Sequence, residues 1–231
     1  MQAFTTLRGA AAFLPRPNVD TDVIIRIERL TTLEKKDLGR YAFEALRFRA
    51  DGSEAPDFVF NRPAFRGAPI LLAGENFGCG SSREGAVTAL LGMGVRCVIA
   101  PSFGDIFFNN CFQNGVLAIR LPAAQIAALA AQAAEGAALT VDLQRCRITT
   151  PDGGEQPFAV DPLRREALLN GLDDIGLTMK DDALIRAWQA EDRLRRPWAW
   201  PARAAASSGA APVKASIAAS GPASSFSTSA S

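Results

Sequence analysis

The chain has 231 residues, of which 48% are hydrophobic and 21% charged, so it has enough apolar material for one sizeable core. A formal net charge of +1 argues against a broad basic face for nucleic acid. No window approaches the roughly 18 apolar residues that a membrane helix needs. The short apolar run 7–14 contains Arg8 and runs into Pro15, unlike a signal core. We therefore expect a cytoplasmic protein that binds neither nucleic acid nor membrane.

Histidine is absent from the sequence, and this absence excludes several kinds of site. The chain cannot assemble a Ser-His-Asp or Cys-His catalytic apparatus, or a histidine-ligated zinc site. Its four cysteines form no C-x-x-C pair, and Cys97 and Cys111 lie in apolar runs. We interpret the cysteines as reduced core thiols and expect no metal site in this chain.

The first predicted element is a strand over residues 4–14 that ends at a proline-rich turn. The polar cluster Asn18-Val19-Asp20-Thr21-Asp22 follows, and such side chains are typical of a tight turn. It is interpreted either as a simple capped turn or as one rim of a ligand site that includes Asp20 and Thr21. A charged segment begins at Arg26.

A glycine-rich loop, Asn76-Phe77-Gly78-Cys79-Gly80-Ser81-Ser82-Arg83-Glu84, lies between the apolar run 69–73 and a predicted helix. Its glycines allow a sharp turn and a close approach to a ligand, and the first amides of the helix carry partial positive charge. Ser81 and Ser82 can donate hydrogen bonds, and Arg83 can clamp a carboxylate. The loop is interpreted either as a capped strand-to-helix connection or as a seat for a small carboxylate.

The order of elements around this loop indicates an α/β fold. Strands at 69–73 and 95–100 flank the helix, which is the pattern of a parallel unit. The later predicted elements are helices at 103–113, 122–135, 161–170 and 180–194, and strands at 116–120, 139–143, 145–149 and 158–160.

The last part of the chain differs in composition. We predict one domain over residues 1–196 and a disordered Ala/Ser-rich tail over 197–231, because the tail has almost no aliphatic bulk to offset its ordering entropy. Near the end of the domain, Arg164 and Arg165 are interpreted either as exposed helix arginines or as anion ligands.

Four separated motifs identify a resemblance over about residues 3–195. The chain resembles the small subunits of 3-isopropylmalate dehydratase, in the aconitase superfamily. The motifs are Asn18–Asp22, Glu75–Glu84, Ile99–Phe103 and Asn170–Thr178, and they recur in this order.

This resemblance implies a swivelling β/β/α domain, with a mixed sheet whose parallel core is flanked by helices. It implies an iron–sulfur large subunit as partner, which carries the [4Fe-4S] cluster, and a hydroxy-dicarboxylate substrate that is dehydrated and rehydrated in leucine biosynthesis. By the same resemblance Ser81 is catalytic and takes the proton from carbon. Ser82 and Arg83 hold substrate carboxylate, Asp20 and Thr21 line the cleft, and Arg26 lies in the segment that selects the substrate side group.

Three positions depart from the family pattern. Gly85 and Glu166 stand where the family usually has histidine, and Arg26 stands where proline is common. Two alternatives therefore remain open. One is a related hydro-lyase acting on another substituted malate, of the methylmalate or citraconate type. The other is a non-enzymatic carboxylate-binding paralogue.

Overall fold

The computed structural model of the chain describes residues 1–80 and 83–201. The strands in these residues are β1 (Thr6–Leu14), β2 (Ile70–Ala73), β3 (Cys97–Ala100), β4 (Leu117–Arg120), β5 (Ala138–Asp142), β6 (Arg147–Thr149) and β7 (Glu155–Pro157). The α-helices are α1 (Thr21–Ile24), α2 (Ile27–Thr32), α3 (Glu44–Arg47), α4 (Glu84–Met93), α5 (Asp105–Gln113), α6 (Ala123–Gln132), α7 (Pro162–Asn170), α8 (Asp174–Thr178) and α9 (Asp182–Arg195). Short 3-10 turns occupy Lys35–Tyr41, Val59–Asn61, Pro63–Phe65, Ala134–Gly136, Met179–Asp181 and Pro197–Ala199.

The strands form one sheet in the order β4-β3-β2-β1-β5-β6-β7. Strands β2, β3 and β4 are short runs whose apolar side chains are buried, as expected for parallel strands covered on both faces. Helix α6 packs across β1, β2 and β3. The prediction of a mixed sheet with a parallel core flanked by helices is confirmed.

Strand β1 joins the two halves of the sheet. Its first part, Thr6–Ala10, pairs antiparallel with β5, and its second part, Ala11–Leu14, pairs parallel with β2. The parallel half comprises β1 to β4, whose carboxyl ends meet at one edge. Crevices outside the carboxyl ends of parallel strands are where ligands bind in α/β sheets.

One predicted strand was wrong. The strand expected at 158–160 is instead β7, Glu155–Pro157, which pairs with β6. The glycine turn closes at Gly154, where the carbonyl accepts a hydrogen bond from the amide of Thr150 at 2.9 Å. Pairing with β6 therefore begins directly after the turn. Residues 155–157 form the edge strand, and the apolar residues 158–160 lie beyond it.

By its contacts the chain divides into two compact units, Met1–Asp182 and Ala183–Ser231. In the described part of the second unit, Asp192 accepts hydrogen bonds from Arg196 Nε at 2.7 Å and from Trp200 Nε1 at 3.0 Å. The hydrogen bond from Arg196 lowers the pKa of the Asp192 carboxyl. The tail predicted to be disordered lies outside the described residues from residue 202 onward.

Among the helices of the described residues, none combines the length and the apolar character that crossing a membrane requires.

Candidate active site

The Asn18–Asp22 turn and the glycine loop lie side by side, although about sixty positions separate them in the chain. Two backbone hydrogen bonds join them directly, Gly78 N to Val19 O at 2.7 Å and Thr21 N to Cys79 O at 3.0 Å, and a third runs from Asn18 N to O of Glu75, just before the loop, at 2.9 Å. Asp20 and Cys79 form a parallel bridge. The two polar motifs predicted from the sequence are therefore built into one structure at the carboxyl ends of β1 and β2.

The loop after β3 completes this edge of the sheet. The amide of Phe77 donates to the carbonyl of Ser102 at 3.0 Å, and the amide of Gly104 donates to the carbonyl of Phe77 at 3.0 Å. The hydroxyl of Ser102 also accepts a hydrogen bond from the amide of Asn76 at 2.8 Å. Three of the four motifs noted in the sequence thus meet in three dimensions.

The conformation of the glycine loop requires its glycines. Gly78 has a φ of 71° and Gly80 a φ of 92°, in the left-handed region that glycine adopts most readily. A Cβ at Gly78 would stand 2.2 Å from Cγ of Phe107, a buried ring beneath the loop. At Gly80 the nearest atom would be Cβ of Asp20 at 3.5 Å. Gly78 lets the loop lie on the core, and Gly80 brings its backbone beside Asp20.

Asp20 and Thr21 lie at this junction, as predicted. Asp20 caps helix α1, since its Oδ1 accepts a hydrogen bond from Val23 N at 2.7 Å. Thr21 is buried at the first position of that helix. The structure confirms the capped turn, and the rim of a ligand site stays a prediction.

Arg83 stands directly before α4 and forms an ion pair with Asp22, from Nη1 to Oδ1. The side chain of Arg83 is 18% exposed, whereas that of Asp22 is 55% exposed. A guanidinium carries five donor hydrogens, so the contact with Asp22 orients Arg83 and leaves donors for a second carboxylate. Asp22, which the sequence placed only in the polar turn, was not predicted to pair with Arg83. Its place in the acidic turn was the available indication.

Ser81 and Ser82 lie outside the described residues. Their assigned roles stay predictions.

Arg26 is neutralised by neighbouring carboxylates. Its Nε lies 3.6 Å from Oε1 of Glu44 and 3.6 Å from Oε2 of Glu28. The side chain of Glu44 is only 13% exposed, and it also accepts a hydrogen bond from Arg29 Nε at 2.9 Å. The positive charge of this segment is therefore balanced by acidic partners, and Arg26 leads directly into helix α2.

The structure gives a physical account of Gly85, where the family usually has histidine. A Cβ at this position would stand 2.4 Å from Cδ2 of Leu30, which belongs to α2. The missing side chain lets α2 pack closely against the start of α4. Glu166, at the other departure, forms an ion pair with Lys180.

The donor side chains of the described residues do not fit a metal cluster. No group of three or more His, Cys, Asp or Glu side chains is placed to hold a metal ion in residues 1–80 and 83–201. All four cysteines are free thiols, and Cys97 and Cys111 are buried, which confirms that these two are core thiols. The same prediction was wrong for Cys79 and Cys146, which are only partly buried.

Comparison with known protein families agrees with this fold and site. The Aconitase C-terminal domain family matches residues 1–124, and the LeuD_N family matches residues 127–162. The fold is therefore that of an aconitase-type swivelling domain.

Curated relatives narrow the class further. The chain is 54% identical over 200 residues to the 3-isopropylmalate dehydratase small subunit of Paramagnetospirillum magneticum, a match that covers 86% of this chain and 100% of the relative. It is 55% identical over 201 residues to the protein of the same name from Rhodospirillum centenum, covering 86% and 99%. The chain belongs to the family of 3-isopropylmalate dehydratase small subunits.

A solved structure supports this assignment. The crystal structure of 3-isopropylmalate dehydratase (LeuD) from Methanocaldococcus jannaschii is 28% identical to the chain, with a TM-score of 0.59. The match covers 80% of this chain and 99% of that one.

Proposed function

We propose that the chain is the small subunit of a hydro-lyase that isomerises 2-isopropylmalate and 3-isopropylmalate by dehydration and rehydration, in leucine biosynthesis. The names of the relatives support this activity over the two alternatives. The observation that carries the proposal is the hydrogen-bonded junction of the Asn18–Asp22 turn with the glycine loop, beside the half-buried guanidinium of Arg83.

In this proposal Arg83 binds a carboxylate of the substrate. Its guanidinium is held on one side by Asp22 and presents its remaining donors to the ligand. Removing a proton from the carbon beside a carboxylate places negative charge on that carboxylate, so a fixed cation stabilises the charge as it develops. Arg83 therefore both orients the substrate and lowers the energy of the transition state.

Ser81 takes the proton from carbon, and Ser82 holds the substrate carboxylate together with Arg83. Because the chain contains no histidine, no imidazole of this chain can activate Ser81. Nearby cations and backbone amides are what lowers the cost of a serine alkoxide in such a site. Asp20 and Thr21 line the cleft, and Arg26 on the segment leading into α2 helps to select the substrate side group.

The partner in this proposal is a separate large subunit that carries the [4Fe-4S] cluster. An iron with an open position supplies Lewis-acid assistance to the departing hydroxyl. In the same proposal this chain contributes the hydroxyl and guanidinium side of the cleft. We place the assembly in the cytoplasm.

The test is reconstitution with a cluster-bearing large subunit. The full chain is mixed with that subunit and supplied with 2-isopropylmalate, and the absorbance of the alkene intermediate is followed. We expect turnover only when both chains are present. No turnover with 2-isopropylmalate, or turnover only with another substituted malate, would contradict the proposal.

Two variants separate the roles of the loop residues. Ser81→Ala should abolish turnover and leave assembly with the large subunit intact, because only a hydroxyl is removed. Arg83→Lys should chiefly raise KM, because lysine keeps the charge but loses the planar fork. Equal KM in Arg83→Lys and the parent chain would remove Arg83 from substrate binding.

A further inference from the structure

Two arginines outside the candidate active site converge on one aromatic ring. The Cζ of Arg120, at the end of β4, lies 4.0 Å from the centroid of Phe108, and the Cζ of Arg164, in α7, lies 5.0 Å from the same centroid. Arg164 is also 4.8 Å from the centroid of Phe112. Aromatic faces attract cations, but two guanidinium groups that share one ring also repel each other.

Neither of these guanidinium groups has an ion-pair partner in the described part of the chain. Arg164 donates from Nη2 to Oδ1 of Asn109 at 2.7 Å. Its Nη1 is buried and has no hydrogen-bond partner among the described residues. A buried donor without a partner is costly and rare in native proteins, so it calls for an explanation. The neighbouring Arg165 differs, because its guanidinium donates to the carbonyls of Leu143 and Gln144 and these hydrogen bonds fix its position.

The same two arginines line a cavity of about 450 Å³, which is within the size range of small-molecule sites. The other residues of its wall are mainly apolar: Phe108, Phe112, Ala118, Ala159 and Val160. One acid, Asp161, also lines it, and its Oδ1 accepts hydrogen bonds from the amides of Leu163 and Arg164 at 3.0 and 3.1 Å. Two positive charges and one negative charge leave the cavity with an excess of one positive charge.

We propose that this cavity binds a small organic carboxylate, held by Arg120 and Arg164. The excess of one positive charge matches a monoanion, and planar guanidinium groups bind carboxylate oxygens through parallel hydrogen bonds. Binding requires the Arg164 guanidinium to turn toward the cavity, which would bring Nη1 to the ligand's carboxylate. The apolar part of the ligand contacts Phe112 and Val160. None of the residues in this cavity belongs to the predicted catalytic or substrate-binding set.

The experiment is calorimetric titration of the full chain with 4-methylpentanoate, a branched aliphatic carboxylate. The matched control ligand is 4-methylpentanamide, which keeps the apolar group and removes the charge. Inorganic phosphate is the second control, because it has the charge without the apolar group. We expect saturable binding of the carboxylate, and weaker binding of both controls.

Variants locate the binding site. Arg120→Gln changes an exposed residue and should weaken carboxylate binding by about tenfold or more, since hydrogen bonds to charged groups are among the stronger ones. Arg164→Gln should do the same. Arg145→Gln, which removes an exposed arginine paired with Glu155 elsewhere, should leave the affinity unchanged. Arg83→Gln is measured in parallel, and it distinguishes binding in this cavity from binding in the other site.

Three results would overturn the proposal. The first is no saturable binding of 4-methylpentanoate to the parent chain. The second is binding that Arg83→Gln abolishes and Arg120→Gln leaves intact, which would place the ligand in the catalytic cleft. The third is equal affinity for the amide and the carboxylate. The lyase function is tested by turnover in the reconstituted enzyme, whereas this proposal is tested by carboxylate binding in Arg120→Gln and Arg83→Gln. Failure of one proposal is therefore distinguishable from failure of the other.

Discussion

The close packing of the glycine loop on the core makes Gly78→Ala a sharp test of how the site is supported. Gly78 has a φ of 71°, and a Cβ there would stand 2.2 Å from Cγ, 2.5 Å from Cδ1 and 2.7 Å from Cβ of Phe107. Those atoms include the stem of the Phe107 side chain, so a rotation of the ring alone does not relieve the overlap. Phe107 is buried and contacts Phe77 with ring centroids 5.5 Å apart. Either the loop or the core must therefore move.

Two terms contribute to the expected loss of stability. A side chain in the left-handed conformation costs about 1–2 kcal/mol. Adding a carbon to a packed core costs about 1–3 kcal/mol more. The free energy of unfolding should thus fall by about 2–5 kcal/mol, a large fraction of the ~5–15 kcal/mol typical of a folded domain.

The assay is urea unfolding of the full chain, with Gly153→Ala as the matched control. Gly153 also has a positive φ, 87°, but a Cβ there would meet nothing within 4 Å. The control therefore reports the backbone term alone, at about 1–2 kcal/mol. The difference between the two variants measures the overlap with Phe107.

Equal destabilisation by the two substitutions would refute the packing argument. A second readout is turnover in the reconstituted enzyme. The amide of Gly78 donates to the carbonyl of Val19 at 2.7 Å, so displacement of the loop moves it relative to the turn that holds Asp20. Gly78→Ala should lower kcat/KM at temperatures where the chain is still folded, whereas Gly153→Ala should not.

Three further predictions concern the same molecule. Asp22→Asn removes the carboxylate that orients Arg83 and should raise KM about two- to fivefold in the reconstituted enzyme, a modest effect because Asp22 is exposed. Asp20→Ala removes the cap of α1 and should lower the free energy of unfolding by about 1 kcal/mol in a urea titration. An aromatic disulfide reagent should modify only two of the four thiols in the folded chain, even at about pH 9, because burial raises the pKa of the other two. The reactive pair is Cys79 and Cys146, and the protected pair is Cys97 and Cys111.

The local sequence pattern was sufficient to predict most of the fold. Apolar runs separated by glycine and helix-forming segments indicated a parallel α/β unit, and β2, α4 and β3 follow that order. The strand expected at 158–160 was wrong because hydrophobicity, the basis of that prediction, does not show where a hairpin turn closes. The turn at Gly154 set the register of β7 instead.

The candidate site was partly predictable for the same reason. Asp20, Thr21 and Arg83 carry chemistry that their residue types and neighbouring glycines indicate. The partner of Arg83 was not predictable in this way, because Asp22 lies 61 positions away and the same turn offers a second carboxylate, Asp20. Gly85 looked like a loss relative to the family, and only its contact with Leu30 shows what the absent side chain permits.

The sequence by itself determined the class of chemistry. The lack of histidine excluded an imidazole contributed by this chain, the glycine loop with Arg83 indicated a carboxylate site, and four ordered motifs indicated the family. Only the tertiary structure decided which charges meet: Asp22 with Arg83, Arg26 with Glu44, and Arg120 with Arg164 around Phe108. The physical reason is that residue type and local pattern act over a few neighbouring positions, whereas these electrostatic partners are brought together by packing of segments distant in the chain.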